Sequence, residues 1–122
     1  MEKLISTSAH ALFDYAISAA LLGGPWIFDF QDDPGAKLLS LIAGAGIALL
    51  SLLTRCEGGL IKLLPFPVHL RSDIVLALAL IVSPWVLGLS DTAKTFLVIV
   101  GVVNFAISFA TWPRSPKEIP ED

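Results

Sequence analysis

Charge is what this 122-residue chain has least of: Asp, Glu, Lys and Arg make up 16% of it, against roughly 25% in a soluble domain. Eight Lys and Arg with eleven Asp and Glu are too few to cover the surface of a soluble domain this small, so the 55% hydrophobic content belongs in lipid. A single cysteine, Cys56, excludes an internal disulfide and any multi-cysteine metal site. The net charge of −3 comes with no basic stripe of interleaved aromatics, which excludes nucleic acid as a partner. There is no nucleophile beside a base, no phosphate-cradling glycine loop and no dense carboxylate cluster, so an enzyme reading has little support and no cofactor is predicted. No polar mature domain follows the apolar start, so the first helix reads as retained rather than cleaved.

What is present is organised in uncharged windows, from Leu38 to Thr54, Ile74 to Ser90 and Thr95 to Pro113. Each nearly spans a hydrocarbon core about 30 Å thick, which takes about 20 helical residues. A fourth window from Leu4 to Phe28 holds only His10 and Asp14 as titratable groups. Asp14 lies about one turn inside if that helix starts near His10 and several turns inside if it starts near Lys3; sequence leaves both open.

A shift of 59 residues lays the second half of the chain on the first. His10 falls on His69, Asp14 on Asp73, Pro25 on Pro84, Trp26 on Trp85, Asp32 on Asp91 and Arg55 on Arg114. Each half is a helical hairpin, turning at Gln31-Asp32-Asp33-Pro34-Gly35 and at Ser90-Asp91-Thr92. The segment Ser83-Pro84-Trp85-Val86-Leu87-Gly88, with His and Asp upstream, resembles the SPW repeat family of small prokaryotic membrane proteins, in two copies over nearly the whole chain. The first copy, Gly24-Pro25-Trp26-Ile27-Phe28-Asp29, departs from the pattern by replacing the serine with glycine and the later glycine with aspartate. The resemblance implies two-helix repeats in a membrane and carries no activity over to these residues.

The expected fold is all-α: a four-transmembrane-helix bundle of two tandem, parallel-related hairpins. Repeat 1 runs from about 6 to 55, an interfacial linker from about 56 to 67, repeat 2 from about 68 to 113, and a mobile tail from 114 to 122. Lys3, Arg55, Lys62, Arg71, Arg114 and Lys117 share one side, against Lys37 and Lys94 on the other. The positive-inside rule then gives a multi-pass protein of the cell inner (plasma) membrane with both termini cytoplasmic.

His10 and Asp14 share a helix face, as do His69 and Asp73, and Pro25 and Pro84 return to nearly the same face. The two stripes turn either toward each other across the pseudo-twofold axis or away from it. Convergence would assemble a ligand set suited to zinc or iron. Pairing that fixes helix register, and proton or ion handling, are the other readings. Pro25 and Pro84 each remove a helical hydrogen bond and kink or end the helix, while Trp26 and Trp85 suit the bilayer interface. Ala36, Ser40, Gly44 and Ala48 form a small-residue stripe for close helix packing. At the 59-residue shift the fourth helix offers Ile99, Val103 and Ile107 instead, so the hairpins are expected to pack differently. Asn104 reads as making an interhelical hydrogen bond rather than lining a pore.

The leading functional reading is helix association, as a homo-oligomer or an accessory subunit of a membrane complex, with the lipid bilayer as constant partner. The rival is a pore, carrier or metal-binding protein built on His10, Asp14, His69 and Asp73.

Overall fold

A computed structural model of the chain describes residues 5–54, 59–61 and 63–111. Cys56, the cations Lys3, Arg55, Lys62, Arg114 and Lys117, and the tail from 114 to 122 lie outside the described residues. Four helices follow in order: α1 (Thr7–Ile27), α2 (Pro34–Leu52), α3 (Phe66–Val86) and α4 (Asp91–Phe109). Three of them, α2, α3 and α4, are long and apolar enough to cross a membrane; α1, though as long as α3, falls short of that apolarity over a full span. The protein is an all-α membrane bundle.

Helix starts follow capping rather than the edges of the uncharged windows. The Ser6, Asp33 and Ser90 side chains accept from the backbone N–H groups of Ala9, Ala36 and Ala93, supplying partners for donors that a helix start leaves open. α3 begins at Phe66, inside the segment read as linker, because Pro65 and Pro67 suit a first turn that needs no N–H. Asp14 and Asp73 each lie seven residues into their helix, about 10 Å from its start.

The Pro-Trp segments close the helices rather than bend them midway. α1 ends two residues after Pro25 and α3 two after Pro84. The Phe30 N–H then reaches back to the Pro25 carbonyl at 2.8 Å and the Leu89 N–H to that of Pro84 at 3.0 Å. This is a Schellman stop, which places one residue in the left-handed region. That residue is Gly88 (φ +63°) in the second copy and Asp29 (φ +59°) in the first.

Within each hairpin the arms pack alike, contrary to the expectation drawn from the 59-residue shift. The first turn is two residues longer, so α4 repeats α2 at a shift of 57, which matches Ala36 with Ala93, Gly44 with Gly101 and Ser51 with Ser108. A Cβ on Gly44 would sit 3.0 Å from Leu21, Leu22 and the Ser18 carbonyl; one on Gly101 would sit 2.8–3.2 Å from Ile81, Leu80 and the Ala77 carbonyl. These are the same contacts, one repeat apart. The stripe of α2 therefore faces α1, and its buried face runs through Ala36, Ser40, Ala43, Gly44, Ile47 and Ser51, with Ala48 only half-buried.

Between hairpins, a shared apolar core joins Ile17, Leu21, Phe30, Ala36 and Ile47 to Leu80, Leu89, Ala93 and Leu97. At the turn end, Asp33 accepts from the Ser90 backbone N–H at 3.0 Å, so the cap of α2 also holds the start of α4. The opposite end, where Ile5 bridges Thr111 and Thr54 bridges Leu64, holds the polar residues.

Candidate metal centre

The two stripes converge. His10, Asp14, His69 and Asp73 are all buried, at 0–1% exposure, and their ligand atoms lie within 4.8 Å of one another. Two imidazole Nε2 atoms and two carboxylate Oδ2 atoms alternate around a ring. Its sides are His10 to Asp73 at 2.9 Å, Asp73 to His69 at 3.0 Å, His69 to Asp14 at 2.6 Å and Asp14 to His10 at 3.1 Å. Each histidine thus contacts the aspartate one turn along its own helix and the aspartate of the other repeat.

The far side of each ring is also held across the repeats. His10 Nδ1 lies 2.9 Å from Thr111 Oγ1, and His69 Nδ1 lies 2.7 Å from Thr54 Oγ1. Each threonine hydroxyl donates its one proton to a carbonyl four residues back, Ile107 for Thr111 and Leu50 for Thr54. Only lone pairs remain on those oxygens, so Nδ1 must carry a hydrogen and donate it. The tautomer is thereby assigned, and both Nε2 atoms face carboxylate oxygens.

A bare Nε2 would point its lone pair at an oxygen lone pair. The ring needs two positive charges to hold together: a proton on each Nε2, or one divalent cation among the four atoms. Either choice balances the two carboxylates. The proton solution serves the geometry less well, because one N–H must be divided between two oxygens. A tetrahedral site with bonds of about 2.0–2.1 Å sets ligand atoms about 3.3 Å apart, and the four sides of the ring fall short of that by a few tenths of an ångström. Backing of the distal imidazole N–H by an oxygen is the usual second layer of a histidine metal site.

Two further atoms point to a ligand. Asp14 Oδ1 and Asp73 Oδ1 are buried without a hydrogen-bond partner among the described residues, a condition that costs about 1–3 kcal/mol for a neutral group and more for a charged one. With them the donor set reaches two nitrogens and four oxygens. Ser51 adds a hydroxyl donor 3.3 Å from Asp14 Oδ2. Phe66 closes the apolar wall: its ring stacks on His69 at 5.6 Å and meets His10 edge-on at 5.5 Å.

Other residues singled out from sequence lie outside this cluster. Asn104 makes its interhelical bond, the Nδ2 group donating to the Asp73 carbonyl at 3.3 Å. Ser40 donates to the Leu21 carbonyl that Pro25 leaves open. Trp26 and Trp85 are exposed at the turn end, with the Lys37 and Lys94 ammonium groups 5.3 and 5.4 Å from their ring centres. The Ser83 hydroxyl is buried without a partner among the described residues. In the first copy a Cβ on Gly24 would lie 2.5 Å from Phe96, which explains why serine is lost there. Sequence reading passed over Thr54, Thr111 and Phe66. The threonines recur at a spacing of 57, the register of the second helices. Phe66 carried no signal, since the matching residue is Thr7.

The SPW repeat domain model matches residues 8–112. No curated protein and no solved structure matches the chain.

Proposed function

The chain belongs to the SPW repeat family, and from that premise we propose a membrane protein with a divalent-metal centre between its two repeats. His10, Asp14, His69 and Asp73 are the ligands. All four helices cross the bilayer, and the excess of Lys and Arg outside the turns sets both termini in the cytoplasm. The observation that carries the reading is the ring of Nε2 and Oδ2 atoms with both Nδ1 hydrogens held by threonine. Two neutral imidazoles and two carboxylates bind a divalent ion with no net charge left in the bundle, which matters where an unpaired charge costs at least about 2.5 kcal/mol. The donor types suit zinc, ferrous iron or manganese, with the free Oδ1 atoms favouring the higher coordination of the latter two.

Helix association, the reading favoured by sequence, loses the stripe that supported it, because Ala36, Ser40 and Gly44 are buried in α2 and Gly44 packs on α1. Elemental analysis of protein purified in detergent without chelator tests the proposal. One divalent ion per chain is expected, with none in the His10→Ala/His69→Ala variant. Wild-type protein that carries no metal and takes up neither zinc nor iron on addition overturns it.

A further inference from the structure

Independently of the metal centre, we propose that the groove between α2 and α3 holds one acyl chain of an anionic glycerophospholipid, with the lipid phosphate on Arg71. The groove encloses about 610 Å³, within the about 300–1,000 Å³ of ordinary ligand sites. Its α3 wall runs from Val68 to Ala79 and its α2 wall from Leu50 to Leu39. Eleven residues of helix are about 16 Å, which is the depth of one leaflet in a core about 30 Å thick. Arg71 and Ser72 stand near one end of an otherwise apolar lining, on the side of the bundle where Ile5 bridges Thr111. Arg71 is exposed and has no carboxylate within ion-pair distance among the described residues.

The second repeat relation shows that this groove is built rather than generic. The pseudo-twofold partner of Arg71 is Leu12 and that of Ser72 is Phe13, while Gly46 and Ala43 of α2 correspond to Val103 and Val100 of α4. A Cβ on Gly46 would meet nothing within 4 Å. Small residues and a cation therefore open one face of the bundle where its twin carries bulk and no charge. The cavity on that other face lies toward the turn end, against Phe28, Asp91 and Phe96. The nearby ammonium of Lys94 is already within 3.9 Å of Asp91 and over Trp85. The α2–α3 groove joins an apolar trough of leaflet depth to a guanidinium with no ion pair among the described residues, the group best shaped for a phosphate.

Native mass spectrometry of the full chain, exchanged into detergent with equal phosphatidylglycerol and phosphatidylcholine, tests this. Wild type should retain one phospholipid and prefer phosphatidylglycerol by roughly five-fold. Arg71→Leu should keep a lipid but lose the preference, and Gly46→Val, which copies the closed face, should lose the retained lipid. Unchanged helical circular dichroism certifies that each variant is folded. Equal retention of the two lipids by wild type, a preference that survives Arg71→Leu, or a dimer that carries no lipid would each overturn the assignment, the last giving the groove to a second copy.

Discussion

The two hairpins share a backbone plan while most of their side chains differ, and some of those differences sit where one hairpin meets its twin or the lipid. Gly24 replaces Ser83 because Phe96 of the other hairpin occupies the space of a side chain. Asn104 replaces Ile47, adding a bond to the Asp73 carbonyl that the first hairpin has no side chain to make at that place. Arg71 replaces Leu12 at the rim of a groove. Inside each hairpin the glycine on which the helix pair closes is copied with its contacts, whereas the Ser18 and Ser40 hydroxyl bonds of the first hairpin have no counterpart at Ala77 and Leu97.

The largest effect should come from the residues that remain identical. Asp14→Ala and Asp73→Ala each leave two imidazoles facing a single carboxylate, and each should destabilise the bundle by about 3–5 kcal/mol. Equal losses in a reversible unfolding titration in mixed micelles would mark a symmetric centre, whereas a loss confined to one hairpin would break the comparison. Next come the closing glycines. Gly101→Ala and Gly44→Ala should each cost about 1–3 kcal/mol through overpacking, with Gly101 the costlier because its contacts reach 2.8 Å. Gly46→Ala, which meets nothing, should lose no stability in the same titration.

Asn104→Ile makes the second hairpin like the first, and should cost about 0.6–1.7 kcal/mol, the range of interhelical hydrogen bonds in a membrane. A neutral result by thermal melting would make Asn104 a relic of packing. Asp29→Gly restores the glycine of the second copy at φ +59° and should raise stability by up to about 1 kcal/mol, seen as a higher melting temperature. The smallest effect concerns Asp33. The Ser90 backbone N–H, followed by that of Ala36, holds its carboxyl below the usual carboxylate value. A depressed folded value means that the stabilisation is present above the unfolded value and is lost as the pH falls through the carboxylate range. Asp33→Asn should flatten that acid limb of the stability curve, and an unchanged limb would show that the link between turns is weak.

Much of this was legible in the residues. The uncharged windows and the repeated Pro-Trp segments were enough for two membrane hairpins, and the spacing of four put each His and Asp on one face. Thr54 and Thr111 are not legible at the 59-residue spacing of the histidines, because they stand 57 apart. A turn shortened by two residues moves every later match, and His-to-His spacing carries no trace of it. The groove escaped as well, since Gly46 and Ser72 become meaningful only once α2 and α3 lie side by side.

By itself, then, the sequence determined the helices, the membrane setting and the face on which each polar residue stands, because these depend on local spacing and apolar run length. Tertiary structure alone decided that the two polar faces turn inward and exchange partners across the repeats. A pseudo-twofold axis is satisfied equally by stripes that meet and by stripes that diverge, and the choice belongs to how Gly44 and Gly101 let each hairpin close and how Leu21 and Leu80 then pack between the two.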